Sequence, residues 1–279
     1  MKQMFRKTAP QLRRVMRTVL LAGVVSLCLT GGAIRADEAS SNRAPAAVNA
    51  QALVSDATNM FHWPDGMKDM RVRFIRMEYD GAGWDDGMDA VSRADLNFLD
   101  AFHALTGFKV ATKSEGHKIS LLRKYPRGFA PPFVYMTGTS NINVSASDVK
   151  IMREYLISGG LLFASAGSPQ WGPSFKSFIA QVFPGQGLLV IADDDPLFQV
   201  PFTFPNGAPL FWHYSGTRVL GIKHNGRWAV YFHPGGIHDA WKTGHSGMDP
   251  VLAEDATRIG INVIYYAFTH YLEKTRGYR

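Results

Sequence analysis

Residues 159–172, GGLLFASAGSPQWG, contain the clearest fold signal in the chain. Two glycines end a preceding helical pattern, and the apolar run 161–164 then has the composition of a buried strand. Residues 165–168 are all small and precede Pro169, which predicts a tight turn before the next helix. Several α/β enzymes present their nucleophile on such a strand-to-helix turn. The stretch is therefore either a nucleophile elbow or a backbone turn with the same shape.

Strand and helix patterns alternate on both sides of this stretch. We predict strands at 71–79, 108–111, 133–137, 161–164 and 188–192, helices at 92–105, 145–158, 175–182 and 250–273, and a hairpin of strands 218–223 and 227–233 around Asn225-Gly226. Short buried strands that alternate with helices favour a mostly parallel sheet covered on both faces. The sequence therefore predicts an α/β, three-layer, flavodoxin-like sandwich with an added β-hairpin.

The first 36 residues are typical of an export signal. They contain seven basic residues and no acid, and the apolar run 19–29 is followed by small residues up to Ala36. This run is shorter than the roughly 20 residues that span a bilayer. We expect a signal peptide at 1–36, a flexible linker at 37–66 and one domain at 67–276. The protein would be periplasmic or secreted, by the Sec route or, because of Arg13-Arg14, the twin-arginine route.

The net charge and the cysteine count exclude some kinds of partner and some kinds of catalysis. The formal net charge is +7, but removing the seven signal residues from the 30 basic residues leaves 23, equal to the 23 acids. Because no basic cluster follows residue 36, we expect no nucleic-acid partner. Cys28 is the only cysteine, so a chain without its signal has no thiol nucleophile. Membrane contact is expected only through an uncleaved signal.

Five motifs occur in an order that resembles a known family. They are FVYMTGTS (133–140), MREYLISGGLLFASAG (152–167), DDDPLF (193–198), NGRWAVYFHPGGIHDAW (225–241) and RIGINVIYYAFT (258–269). Over about residues 70–272 the chain resembles the bacterial family called domain of unknown function 4159, which is similar to class I glutamine-amidotransferase-like domains. The resemblance implies a flavodoxin-like sandwich with an elbow. It implies the fold more firmly than an activity, because amidotransferase chemistry needs a thiolate that this elbow lacks.

The candidate catalytic residues are the elbow serines and a downstream histidine. Ser165 or Ser168 could act as the nucleophile, with His238 as base and Asp239 as orienting carboxylate, and with His233 and Asp194 as alternatives in these two roles. The structural alternative is a plain turn, because Ala-Gly-Ser-Pro is an ordinary turn composition and no G-x-S-x-G is present.

Ligands of parallel sheets bind beyond the carboxyl ends of the strands, so the residues that follow each strand are the candidate binding residues. They are Asp80, Trp84, Asp85, Thr137, Gly138, Gly167, Asp194, Asp195, His233 and Trp241. The carboxylates, with Asp86 beside Asp85, can hold a divalent cation or act in general acid–base chemistry, and loop tryptophans can stack on flat ligands. The same residue types also form turns and helix caps and close cores. We expect the strand ends near 80, 137, 166, 193 and 233 to open onto one crevice.

No cofactor is required by these motifs, and a divalent metal at His233, His238 and Asp239 is a second option. The missing thiol favours a non-catalytic module that binds an unknown small molecule or a periplasmic protein. The alternative is a hydrolase that uses a serine or a metal-activated water at the strand-end cleft.

Overall fold

The computed structural model describes residues 63–126, 128–212, 214–244 and 249–277. The predicted signal peptide and almost all of the predicted linker lie outside these residues. The described part of the chain contains seven strands: β1 (Ile75–Glu78), β2 (Glu115–Lys118), β3 (Phe133–Met136), β4 (Leu161–Ser165), β5 (Leu189–Val190), β6 (Leu220–His224) and β7 (Arg227–His233). They form one sheet in the order β2-β1-β3-β4-β7-β6-β5.

The sheet is mostly parallel, as predicted. Strands β2, β1, β3, β4 and β7 run parallel to their neighbours, whereas β6 and β5 are added as antiparallel strands at one side. The chain passes from β1 outward to β2 and then returns to β3 on the other side of β1. The carboxyl ends of β1 and β3 therefore lie where the strand order reverses, which is the place where open α/β sheets bind ligands.

Helices cover both faces of the sheet and complete three layers. The α-helices of the described residues are α1 (Ala94–Thr106), α2 (Ala146–Ile157), α3 (Trp171–Val182) and α4 (Pro250–Arg276). One core contains Phe98 of α1 and Phe268 of α4, and a second core on the opposite face contains Met152 of α2 and Phe178 of α3. This arrangement confirms the predicted α/β sandwich.

Local signals fixed several element ends correctly. Ser145 and Asp148 form the expected capping box: the Ser145 hydroxyl accepts from the Asp148 amide at 3.1 Å, and the Asp148 carboxylate accepts from the Ser145 amide at 3.2 Å. Gly107 ends α1 with a φ of 72°. The predicted start of α1 was wrong, because the helix begins after Arg93, a left-handed residue with no side-chain cap, and not at Ser92.

Two strand predictions differ from the structure, and one strand was not predicted. The segment 188–192 forms only the two-residue strand β5, which lies exposed at the edge because it pairs with β6 alone. Residues 108–111 contribute one bridge, between Val110 and Val72. Strand β2 was missed because its residues, EGHK, have no apolar alternation, which is common for a strand at a sheet edge.

The β6–β7 hairpin yields a test of backbone strain. Asn225 and Gly226 have φ values of 49° and 80°, as a type I′ turn requires. A Cβ at Gly226 would meet no atom within 4 Å, and the same holds for Gly187, whose φ is not positive. We expect Gly226→Ala to lower the free energy of unfolding by about 1–2 kcal/mol through left-handed strain alone. Gly187→Ala, the matched control, should be neutral or stabilising. Equal effects in urea unfolding would contradict this reading.

Candidate functional site

The candidate site lies beyond the carboxyl ends of β1, β3 and β7. The loop 80–87 follows β1, Thr137 follows β3, and a short 3₁₀ helix, Ile237–Trp241, follows β7. These segments bring a carboxylate, a hydroxyl and an imidazole together. The His238 side chain at their centre is fully buried.

Four side chains form the group that we call the His238 cluster: Asp86, His238, Asp239 and Lys242. His238 Nε2 lies 3.1 Å from Asp86 Oδ2 and 3.5 Å from Asp239 Oδ1. The Lys242 ammonium lies 2.8 Å from Asp86 Oδ2 and 2.6 Å from Asp239 Oδ1. The side chain of Asp86 is 35% exposed, so the cluster is open to solvent on the side of this carboxylate.

The charges of the cluster are mutually stabilised. Hydrogen bonds from His238 and from Lys242 hold the pKa of Asp86 well below its usual range, although partial burial opposes this shift. Burial alone would lower the pKa of Lys242, but its hydrogen bonds with Asp239 and Asp86 raise it. Asp86 is therefore an anion and Lys242 a cation at neutral pH.

Thr137 supports the buried imidazole from the other side. Its hydroxyl lies 3.4 Å from His238 Nδ1, and the Thr137 side chain is itself fully buried. A hydrogen bond at one ring nitrogen orients a histidine and directs the other nitrogen. Thr137 therefore favours the ring orientation in which Nε2 faces the two carboxylates.

A buried ion pair holds the loop that carries Asp86. Arg76 on β1 and Asp95 on α1 are both fully buried, and Arg76 Nε lies 3.0 and 2.9 Å from the two Asp95 oxygens. The same guanidinium donates to the carbonyl oxygens of Trp84 at 3.2 Å and of Asp86 at 2.6 Å. Its carbon lies 5.4 Å from the centre of the Tyr135 ring. Arg76 thus fixes the backbone of the loop from inside the core.

The predicted elbow exists as a tight connection between β4 and α3, and its serines bond to other groups. Ser165 Oγ lies 2.5 Å from the Tyr135 hydroxyl, and both side chains are buried. Ser168 Oγ donates to the Thr139 carbonyl at 2.9 Å and accepts from the Trp171 amide at 3.2 Å. In the described residues, no hydrogen bond joins either serine to His238.

Two glycines allow the elbow to pack closely against the turn after β3. A Cβ at Gly167 would lie 2.8 Å from the Gly138 carbonyl oxygen, and a Cβ at Gly138 would lie 1.8 Å from the Tyr79 hydroxyl. The Trp171 indole donates to this hydroxyl at 2.7 Å, and the hydroxyl donates to the Thr137 carbonyl at 2.8 Å. Gly138 and Gly167 therefore have a packing role here.

In the described residues His233 does not join His238 and Asp239, the other two members of the predicted metal trio. The Gly235 amide lies 3.2 Å from Nδ1 of His233, and Nε2 lies 3.0 Å from the Pro209 carbonyl oxygen. Burial lowers the pKa of His233, which favours a neutral ring. The group of metal-capable side chains in the described residues contains Asp86 in place of His233.

The acidic run 193–195 does not approach Asp80, contrary to the expectation of one crevice. Asp193 pairs with Arg218, and Asp195 accepts from the Leu197 amide and from the Trp228 indole. The run follows β5, which lies beyond β7 and β6 at the edge of the sheet. Asp194 and Asp195 are therefore separated from the β1 loop by the central strands.

The two candidate tryptophans lie in different environments. The Trp241 ring centre lies 4.3 Å from that of Phe98 and 5.7 Å from that of Phe74, so this indole is part of the core. Trp84 instead lies over Gly116 of β2, where a Cβ would come within 2.8 Å of its ring.

Trp84 lines a cavity of about 600 Å³ at the carboxyl ends of β1 and β2, together with Glu78, Asp80, Lys118 and Asn143. Asp80 and Asp85 are exposed on the loop after β1. A larger groove of about 980 Å³, lined by Tyr155 and Tyr271, lies at the amino ends of β3 and β4. We assign the site to the carboxyl ends, because the charged clusters and the reversal of strand order lie there.

Sequence reasoning missed the residues that organise the site. Lys242 follows His238 by four residues and was given no role, whereas Asp86 was considered as one of three acids after β1 and was not paired with His238. The clearest unused signal was Arg76, a basic residue in the middle of a predicted strand. A buried guanidinium requires an anion nearby, and Asp95 on the following helix is the anion that the structure provides.

Comparison with known proteins adds one finding. A family model described as "Domain of unknown function (DUF4159)" matches residues 73–268, which is well over half of the 279 residues. The matched region begins before β1 and ends within α4, so it includes all the described strands and the His238 cluster. No curated protein matches the chain.

We expect substitutions of Arg76 and Asp95 to have non-additive effects on the free energy of unfolding. Arg76→Met should cost about 3–5 kcal/mol of unfolding free energy, because Asp95 is left as an unpaired buried charge. Arg76→Met combined with Asp95→Leu should regain part of this loss, because neither charge is then buried. Urea unfolding of the wild type, both single variants and the double variant measures the coupling. Additive losses would show that the pair does not act as a unit.

Proposed function

Since the chain belongs to the family described as domain of unknown function (DUF4159), whose description names no activity, we propose a function from the geometry of its strand-end site. We propose that the chain is a non-catalytic binding module that holds a small organic cation. The observation that carries this proposal is the Trp84 cavity at the carboxyl ends of β1 and β2, which an indole and the carboxylates of Glu78 and Asp80 line together.

The chemistry of the cavity supports a cationic ligand. The carboxylates of Glu78 and Asp80 line it, and neither has a hydrogen bond or ion pair with any of the described residues. Lys118 is the basic residue of the lining, and Asp148 is already engaged in the capping box of α2. An indole face attracts organic cations, and unpaired carboxylates accept charge-assisted hydrogen bonds from amines.

The Trp84 indole is also well placed to contact a ligand. Its backbone carbonyl accepts from buried Arg76, and its ring lies against Gly116. Because the ring position is set by the protein, little side-chain freedom is lost when a ligand stacks on it. A volume of about 600 Å³ accommodates a ligand of the size of a polyamine or an amino sugar.

The elbow supports a non-catalytic function. Ser165 bonds to Tyr135, and Ser168 bonds to backbone groups of Thr139 and Trp171. A serine nucleophile needs a hydrogen bond to its base, which neither geometry supplies. We infer an amidotransferase-like fold whose elbow serves as a packing unit.

The alternative function, a hydrolase, rests on the His238 cluster. The hydroxyl that contacts His238 belongs to Thr137, and this side chain is fully buried, so a substrate cannot reach it. Hydrolysis would therefore depend on a metal-activated water and not on a serine. This alternative requires that the cluster bind a metal ion.

We place this module outside the cytoplasm, in the periplasm or secreted. The support is the basic, then apolar, then small-residue pattern of residues 1–36, which lie outside the described residues. Within the described residues, no helix has the length and apolar character needed to cross a bilayer. The ligand would then be a periplasmic or extracellular solute.

The proposed ligand class is tested by calorimetric titration of the full chain with spermidine. We expect binding to the wild type and a loss of about tenfold in affinity for Glu78→Gln and for Asp80→Asn, because each removes one charge-assisted hydrogen bond. Trp84→Leu should weaken binding further. Asp69→Asn removes an exposed acid that is not part of the cavity lining and is the matched control.

Two results would contradict the proposal. One is the absence of binding to the wild type. The other is an equal loss in Asp69→Asn and in the cavity variants, since this would indicate attraction by overall charge and not by the cavity.

A further inference from the structure

We propose that Asp86, His238 and Asp239 bind one divalent transition-metal ion, and that the Lys242 ammonium competes with this ion for the two carboxylates. This site is distinct from the Trp84 cavity, and it neither requires nor excludes the binding function proposed above. Its three donors come from two separate segments, the β1 loop and the 3₁₀ helix after β7.

The distances between the donor atoms match those of a metal site. Zinc bonds to nitrogen and oxygen of about 2.0–2.2 Å at tetrahedral angles place neighbouring ligand atoms about 3.3–3.5 Å apart. His238 Nε2 lies 3.1 Å from Asp86 Oδ2 and 3.5 Å from Asp239 Oδ1. The three donor atoms all lie within 4.8 Å of one another. Small side-chain adjustments would therefore complete a three-donor set.

The chemical types of the three donors also suit a divalent transition metal. One imidazole nitrogen and two carboxylate oxygens suit zinc, iron and manganese, and three protein ligands leave at least one coordination position open. Asp86 is the partly exposed member, so an ion and its water can enter from solvent on that side. The ligand set differs from an exposed acidic cluster because His238 is fully buried and directed at the carboxylates.

The surroundings supply the supporting contacts that metal ligands require. The Thr137 hydroxyl lies at Nδ1 of His238, on the side away from the carboxylates. Arg76 holds the backbone carbonyl of Asp86. Gly236 makes room for Asp239, because a Cβ there would lie 2.2 Å from Asp239 Oδ2. Each of the three donors is thus held by a neighbouring element.

Lys242 shows that the carboxylates converge on one cation. Its ammonium contacts Asp86 Oδ2 and Asp239 Oδ1, the two oxygens that also face His238. A lysine ammonium is carried on a flexible four-carbon stem, so it can turn outward when a divalent ion takes its position between the two carboxylates. Removal of the ammonium should therefore strengthen metal binding, whereas removal of a carboxylate should weaken it.

The test is the titration of the chelator-treated full chain with ZnCl₂, and with CoCl₂ to follow the visible absorption of Co²⁺ bound by protein donors. We expect one ion per chain, and binding about tenfold tighter in Lys242→Met because a competing positive charge is removed. Asp86→Asn and Asp239→Asn should each lose at least tenfold in affinity. Asp100→Asn, which alters a 72% exposed acid on α1, is the matched control.

The outcomes separate the proposal from its alternatives. Binding seen only in Lys242→Met, and lost when Asp86→Asn is added, supports the site with a strong competing lysine. No binding in either the wild type or Lys242→Met overturns the proposal, as does equal binding in the Asp86 and Asp100 variants. Thermal unfolding without metal shows whether Asp86→Asn is folded. If it is not folded, the affinity of Lys242→Met for the metal decides the test, since this variant keeps all three donors. Spermidine binding is measured separately, so either proposal can fail alone.

Discussion

The buried pair of Arg76 and Asp95 is the constraint on which the site depends. Moving two charges into a core is costly, and the cost is offset only when the geometry satisfies both groups. Arg76 meets this condition through the Asp95 carboxylate and the carbonyl oxygens of Trp84 and Asp86. If the β1 loop moved away, the buried guanidinium of Arg76 would lose these carbonyl acceptors and keep donors without partners in the core. Strand β1, helix α1 and the loop are coupled through one side chain.

The β1 loop that Arg76 holds carries side chains of different chemistry on its two sides. Trp84 contributes to the cavity above β1 and β2, and Asp86, two residues later, contributes to the His238 cluster beside β3 and β7. The loop is also pinned to the turn after β3, where the Thr139 amide donates to the Ala82 carbonyl at 3.0 Å. Both faces therefore share one backbone segment, which Arg76 holds through the carbonyl oxygens of Trp84 and Asp86.

The parts of the structure that could be predicted from the sequence depend on contacts between residues close in the chain. The parts that could not be predicted depend on contacts between distant residues. The capping box at Ser145, the stop at Gly107 and the turn at Asn225 depend on near neighbours, so short patterns were sufficient. The polar edge strand β2 and the exposed strand β5 depend on the partners they find in the sheet, which composition does not encode. The His238 cluster joins residues 152 positions apart, and only the assembled sheet shows that Asp86 and not His233 faces His238.

The turn between β4 and α3 is held by packing and by hydrogen bonds to its neighbours. Trp171 opens helix α3 with a fully buried indole, and its hydrogen bond to Tyr79 links the elbow to the end of β1. Because Gly138 leaves no room for even a methyl group beside this hydroxyl, the space next to the turn is filled by packed side chains. Polar groups that can meet a ligand are consequently found on the β1 loop and on the 3₁₀ helix after β7. The turn itself bonds to the segment after β3 through the Ser168 hydroxyl and to the end of β7 through the Ala166 amide.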